Sequence, residues 1–187
     1  MFIDITMKVT QEMTLGAREN ANNVLDGHLG THFDVMNKEF PLDYLEREAI
    51  VFDVSKDLDR EIETKDIDIG KIESDMFIAF YSGFIEVEDY GTKKYFSEHP
   101  QLTDELIDAL LDKGVSIIGV DFAGVRRGKE HTPKDQYCAD RGVFIIENLC
   151  NLKEVLGSQK SMHFIANTYP VNFLGMTGLP CRVVAKV

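Results

Sequence analysis

"LTDELIDALLDKGVSIIGVD", residues 102–121, joins two kinds of periodicity across a single glycine. In its first half Leu106, Ile107, Leu110 and Leu111 fall on one helical face. Thr103 stands where a side-chain cap belongs, Asp104 and Glu105 occupy the first turn, Lys113 the last, and Gly114 the stop. In its second half "VSIIGVD" is a short apolar, β-branched run, the pattern of a buried strand. A capped amphipathic helix feeding directly into a buried strand calls for a sheet with helices packed on it.

The flanks repeat the motif. "AIVFDVS" (49–55) and "DMFIAFYSG" (75–83) read as strands on the N-terminal side. On the C-terminal side "TPKDQYCADRG" reads as a helix with Thr132 as cap, Pro133 in the first helical position, Asp135 in capping-box position and Gly142 as stop. "VFIIENL" follows as its strand, and "GLPCRVVAKV" reads as the last strand. The expected fold is mixed α/β (α+β), in one domain over residues 1–187 with the sheet as its main layer.

Composition narrows the partners. Of 187 residues, 44% are hydrophobic and 28% charged, enough for a full core. The formal net charge of −12 disfavours a phosphate backbone or an anionic bilayer, so neither nucleic acid nor membrane is expected; a cation is a better match. No apolar run is long enough to span a membrane, and no secretory leader is apparent at "MFIDITMKVTQEM". Cys138, Cys150 and Cys181 are odd in number and widely spaced, which suits reduced thiols in a cytoplasmic protein.

"DGHLGTHFDVMNKEF", residues 26–40, concentrates the chemistry. Read as a strand, His28, Gly30, His32 and Asp34 share one face, and Leu29, Thr31, Phe33 and Val35 the other. His28 and His32 would then be about 13 Å apart at their α-carbons, with imidazoles leaning inward over residue 30, where glycine leaves room for an ion. Two imidazoles and a carboxylate suit zinc, manganese or ferrous iron. A polar, solvent-facing row on an edge strand is the alternative. Glu147 continues the face of Val143 and Ile145 and is costly to bury without a cation, unless the strand emerges into solvent there.

These segments also carry a resemblance. "HLGTHFD", "PLDYLEREAIVFDVS", "YFSEHPQLTDELIDALLDKGVSIIGVD", "GVFIIENLCNL" and "LPCRVVA" resemble, in order, the cyclase family of metal-dependent hydrolases, which includes kynurenine formamidase and isatin hydrolase. The resemblance implies a swivelling β/β/α domain, commonly a homodimer or homotetramer, and a centre of one or two zinc or manganese ions. It implies a metal-activated water attacking the carbonyl of an arylformamide or cyclic amide, a small-molecule substrate. His28, His32 and Asp34 would be metal ligands, and Glu147 matches the glutamate of the later motif. Ser82-Gly83 resembles a loop near the active-site mouth and receives no role.

Two departures follow from the family pattern H-x-G-T-H-x-D-x-P-x-H. Its proline and last histidine, an acid/base candidate, are Met36 and Lys38 here, and the segment after them is shortened. The histidine twelve residues before the glutamate is Asp135. Asp135 is thus either a further metal ligand or only a helix cap. His131, one turn earlier, is a substitute ligand, a replacement catalytic base or a solvated loop histidine; His99 and His163 are read as structural. A member that keeps the fold and perhaps the metal, and binds a small molecule without hydrolysis, is the alternative function.

Overall fold

The computed structural model describes residues 1–16, 26–56 and 58–187. In chain order its strands are β1 (Phe2–Asp4), β2 (His32–Asp34), β3 (Glu46–Asp53), β4 (Phe77–Tyr81), β5 (Ile117–Val120), β6 (Phe144–Glu147), β7 (Ser161–Pro170) and β8 (Gly178–Lys186). Its helices are α1 (Gln11–Gly16), α2 (Phe84–Val87), α3 (Lys93–Glu98), α4 (Asp104–Lys113), α5 (His131–Asp140) and α6 (Leu152–Leu156).

The strands run in the order β1-β8-β2-β6-β5-β4-β3-β7, and β7 also pairs with β8. That last pairing closes seven strands into a barrel-like mixed sheet. Neighbours among β3, β4, β5 and β6 are parallel, and the remaining pairs are antiparallel. One edge of β8 is shared: β2 pairs with residues 178–180 and β1 with residues 184–186. Closure leaves few unpaired backbone groups for another chain to add to.

Alternation along each strand divides the core in two. Ala49, Val51, Phe77, Ala79, Ile117, Phe144 and Ile146 point inward with Phe33, Ala166 and Val183. Ile50, Phe52, Ile78, Phe80, Ile118, Val120 and Ile145 point outward under the helices. The α4 helix forms as its sequence dictates: Thr103 Oγ1 accepts from the Leu106 amide at 3.2 Å, and Gly114 closes it at φ 72°. Leu106, Ile107, Leu110 and Leu111 are all buried against the outward face.

Three expectations need correction. The strand anticipated over residues 28–35 is confined to His32–Asp34, because Gly27 and Gly30 adopt φ of 85° and 73° and turn the chain ahead of it. The α5 helix begins at His131 rather than after a Thr132 cap, and its N-terminus has no side-chain cap. Strands β1 and β7 form where none was anticipated; exposed His163 lies on β7. Among the described residues, no helix is long and apolar enough to cross a membrane.

Leu110 is fully buried between α4 and the sheet, so Leu110→Ala should lower the unfolding free energy by about 2–5 kcal/mol in a denaturant titration. Leu42→Ala, at a residue 77% exposed, should change it by less than about 0.5 kcal/mol.

Candidate metal centre

Strand β2 lies between β6 and β8, and its register sets His32 directly opposite Glu147. Cross-strand partners share a face, so this pairing puts an imidazole and a carboxylate side by side, with Asp34 two residues along on the same face. Phe33 goes to the opposite face and the inner core. His28 arrives from the preceding turn. Its Nδ1 lies 3.0 Å from His32 Nε2 and 2.9 Å from Asp34 Oδ1, and His32 Nε2 lies 3.5 Å from Asp34 Oδ1. Ligands about 2.1 Å from a tetrahedrally held ion stand about 3.4 Å apart, so these three donors are spaced to share one cation.

The other side is built from α5 and the end of β6. His131 Nε2 is 3.2 Å from Asp135 Oδ2 and 3.3 Å from Glu147 Oε1, while Glu147 Oε2 is 3.6 Å from His32 Nε2. Glu147 therefore touches both halves. One helical turn separates His131 from Asp135, which places them on the same face of α5. Gly124, at φ 105°, clears the space: a β-carbon there would stand 2.5 Å from the His131 ring. A cavity of about 420 Å³ opens onto this side, lined by His28, Phe96, Ala123, His131, Thr132, Glu147 and Asn148.

Burial makes the cluster costly as it stands. His32, Asp34, Asp135 and Glu147 are all at most 5% exposed. Both oxygens of Asp34, Oδ1 of Asp135 and Oε1 of Glu147 accept no aligned hydrogen bond; the 2.9 Å approach of His28 to Asp34 is close but poorly directed. Buried polar atoms are almost always satisfied, and buried carboxylates most of all. These oxygens face donors of the kind that bind divalent metals, and a cation would satisfy them together.

The protonation pattern agrees. Burial, reinforced by the charge of Asp34, drives the Asp135 carboxyl well above the usual range. Burial does the same to Glu147, with Asp34 and Asp135 adding to it. Burial also acts on Asp34 but is outweighed by His32 and His28, which hold its carboxyl well below the usual range. Burial depresses His131, whereas at His28 the neighbouring Asp34 outweighs burial and raises it.

An outer layer of hydrogen bonds orients the rings. His32 Nδ1 donates to the Gly30 carbonyl at 2.8 Å, which leaves Nε2 with its lone pair toward the cluster. Thr177 Oγ1 lies 2.8 Å from His28 Nε2, and the Tyr90 hydroxyl accepts from the Gly30 amide at 3.0 Å. Asp121, buried at the end of β5, accepts from the Ser82 amide, the Ser82 hydroxyl and the Gly83 amide. That ties down the Ser82-Gly83 loop; burial pushes the Asp121 carboxyl up to about 7.

The structure brings His28, His32, Asp34, Asp135, Glu147 and His131 together. It removes one of the two readings of Asp135 and corrects the role expected of Gly30. Asp135 is not a helix cap: its carboxylate is buried beside His131. Gly30 does not clear space for an ion either, since a β-carbon there would meet Val9 Cγ2 at 2.5 Å and its φ of 73° favours glycine. Lys38 pairs with Asp140 at 2.6 Å on the surface and offers no base to the cluster. His99 is buried and stacked on Phe122 with Nδ1 donating to the Pro100 carbonyl; burial lowers it to about 4, keeping it neutral. Asn148, Thr177, Tyr90 and Asp121 escaped the sequence reading. Only Asn148, directly after Glu147, had a positional signal.

Similarity searches converge on one group. The Cyclase family, described as "Putative cyclase", matches residues 3–126. A structure described as a "potential metal-dependent hydrolase with cyclase activity" is 22% identical, with a TM-score of 0.76 over 99% of this chain and 96% of that one. A predicted metal-dependent hydrolase from Bacillus stearothermophilus is also 22% identical, with a TM-score of 0.75 over 99% and 97%. Isatin hydrolase A from Labrenzia aggregata is 20% identical, with a TM-score of 0.69 over 83% of this chain and 72% of that one. No curated protein matches the sequence significantly.

The raised carboxyls of Asp135 and Glu147 fix the sign of a pH effect. Both take up protons on folding, so their contribution to metal-free stability is present below the unfolded pKa of about 4 and is lost as pH rises. Asp34 acts oppositely at lower pH, and His99 and His131, whose depressed imidazoles release protons on folding, act oppositely up to about pH 6.5. Above the unfolded histidine pKa of about 6.5 only the groups raised on folding still act, so melting of the metal-free protein should move to lower temperature between about pH 6.5 and pH 8. Glu147→Gln should flatten that dependence, and added Mn²⁺ should reverse it in the wild type only.

Proposed function

Since the chain belongs to the cyclase family, we propose that it is a metal-dependent hydrolase of a small-molecule amide C–N bond, in an arylformamide or a cyclic amide. The observation that carries this reading is the buried group of three carboxylates and the His32 imidazole, with unsatisfied oxygens, next to the part-exposed imidazoles of His28 and His131 and an open cavity. His28 Nδ1, His32 Nε2 and Asp34 would hold a divalent cation, zinc or manganese, with Glu147 and Asp135 completing the set. The carboxylates favour manganese over zinc to some degree, because hard oxygen donors replace an imidazole. A bound cation supplies Lewis acidity toward water and the scissile carbonyl.

The remaining work falls to the chain's own groups. His131 lines the cavity with a partly exposed ring, and burial keeps it neutral near pH 7, so Nε2 can accept a proton. Glu147 Oε1 and Asp135 Oδ2 flank that nitrogen and would stabilise the imidazolium that results. Return of the proton to the departing nitrogen would complete the cleavage. His131 thereby takes the proton-carrying role for which Lys38, bound to Asp140, is unsuited. Phe96 supplies an apolar wall for an aromatic or cyclic substrate.

Purified protein loaded with Mn²⁺ or Zn²⁺ should hydrolyse at least one member of a panel of arylformamides and cyclic amides, with turnover lost in His32→Ala. His131→Gln should lower kcat by about 10²–10⁴-fold while retaining metal stoichiometry. Loss of metal from His131→Gln would make His131 a ligand instead. Wild-type protein that binds metal and the panel compounds without turnover would favour the non-hydrolytic reading, which the loss of the family's acid/base histidine at Lys38 supports.

A further inference from the structure

We propose that Asn148 is a positioning residue for the metal centre, holding the turn that fixes the ligand nitrogen of His32. The inference rests on the reading that a cation belongs in this cluster. Asn148 follows Glu147, is buried, and has φ of 59°, a backbone region that costs a non-glycine residue energy. Its backbone stays tied to the end of β5, with its amide donating to the Phe122 carbonyl at 3.1 Å.

All three of its other polar groups are used. Nδ2 donates to the Gly30 carbonyl at 2.9 Å, Oδ1 accepts from the Tyr95 hydroxyl at 2.8 Å, and the main-chain carbonyl accepts from Thr31 Oγ1 at 2.6 Å. The Gly30 carbonyl is also the acceptor for His32 Nδ1–H. Asn148 therefore anchors the oxygen that sets the His32 tautomer, and it does so from the residue next to another candidate ligand. Tyr95, fully buried, anchors Asn148 in turn. The chain Tyr95–Asn148–Gly30–His32 joins α3, the end of β6 and the turn before β2 in one hydrogen-bonded path.

A merely structural role predicts something different. If Asn148 were present only because asparagine tolerates a left-handed backbone, glycine would serve as well or better. Asn148→Gly keeps the backbone and removes only the side-chain bonds to Gly30 and Tyr95, so it separates the two roles.

The test is Mn²⁺ affinity of the full chain, measured by competition with a chromophoric chelator, together with ¹⁵N–¹H detection of the His32 ring in the zinc-loaded protein. Asn148→Gly should bind Mn²⁺ about 10–100-fold more weakly than wild type, and its His32 Nδ1–H signal should shift or broaden through exchange with water. Tyr95→Phe, which leaves Asn148 in place but unanchored, should weaken binding in the same direction by a smaller factor, and it carries the test if Asn148→Gly does not fold. Wild-type affinity in Asn148→Gly, or in Tyr95→Phe should that variant stand alone, would overturn the proposal while leaving the proposed function intact. Failure of the wild type to bind either Mn²⁺ or Zn²⁺ would overturn both.

Discussion

Three carboxylates and the His32 imidazole are packed out of water at the junction of β2, β6 and α5, with the part-exposed rings of His28 and His131 beside them, and the surrounding architecture serves to hold them there. Desolvating Asp34, Asp135 and Glu147 together is costly, and hydrogen bonds from the protein do not repay it: four of their six oxygens accept none that is aligned. A cation would remove that cost by supplying the positive charge and the coordination the oxygens lack. The His32–Glu147 register brings His32, Asp34 and Glu147 to that point, the turn at Gly27 and Gly30 brings His28, and the first turns of α5 bring His131 and Asp135.

The closed sheet explains how so polar a cluster survives inside a protein of this size. Two apolar layers, one inside the ring of strands and one beneath α4 and α5, leave the cluster at a strand end where the layers stop. Strand alternation lets neighbouring residues serve both: Phe33 fills the inner layer while His32 and Asp34 face the cluster, and Ile146 and Glu147 divide in the same way. Core packing and chemistry thus share the same strands, one on each face.

Local signals were legible in the sequence where a few adjacent residues carry the whole instruction. Thr103, the Leu106–Leu111 face and Gly114 specify α4 without help from the rest of the chain. His28, His32 and Asp34 were legible as a set of donors, but the backbone that unites them is a glycine turn into a three-residue strand, since Gly27 and Gly30 override the alternation. Asp135 was ambiguous because the same Thr-Pro-x-Asp pattern describes a capped helix; only the approach of β6 to α5 decides it. Thr177 and Tyr90 were invisible, because their contacts with His28 and Gly30 span distant parts of the chain and no local pattern marks them. The long β7 strand also escaped, its alternation blurred by apolar Ile165 on the outward row and polar Thr168 on the buried row with Phe164 and Ala166.

The proposed centre requires a divalent cation among these side chains. Crystals soaked in Mn²⁺ and measured at the manganese absorption edge would test it most directly. An anomalous peak is expected about 2.0–2.3 Å from His28 Nδ1, His32 Nε2 and an Asp34 oxygen, with Glu147 or Asp135 drawn into contact. A fully soaked crystal with no peak in this cluster, or with manganese only on exposed surface acids, would contradict it.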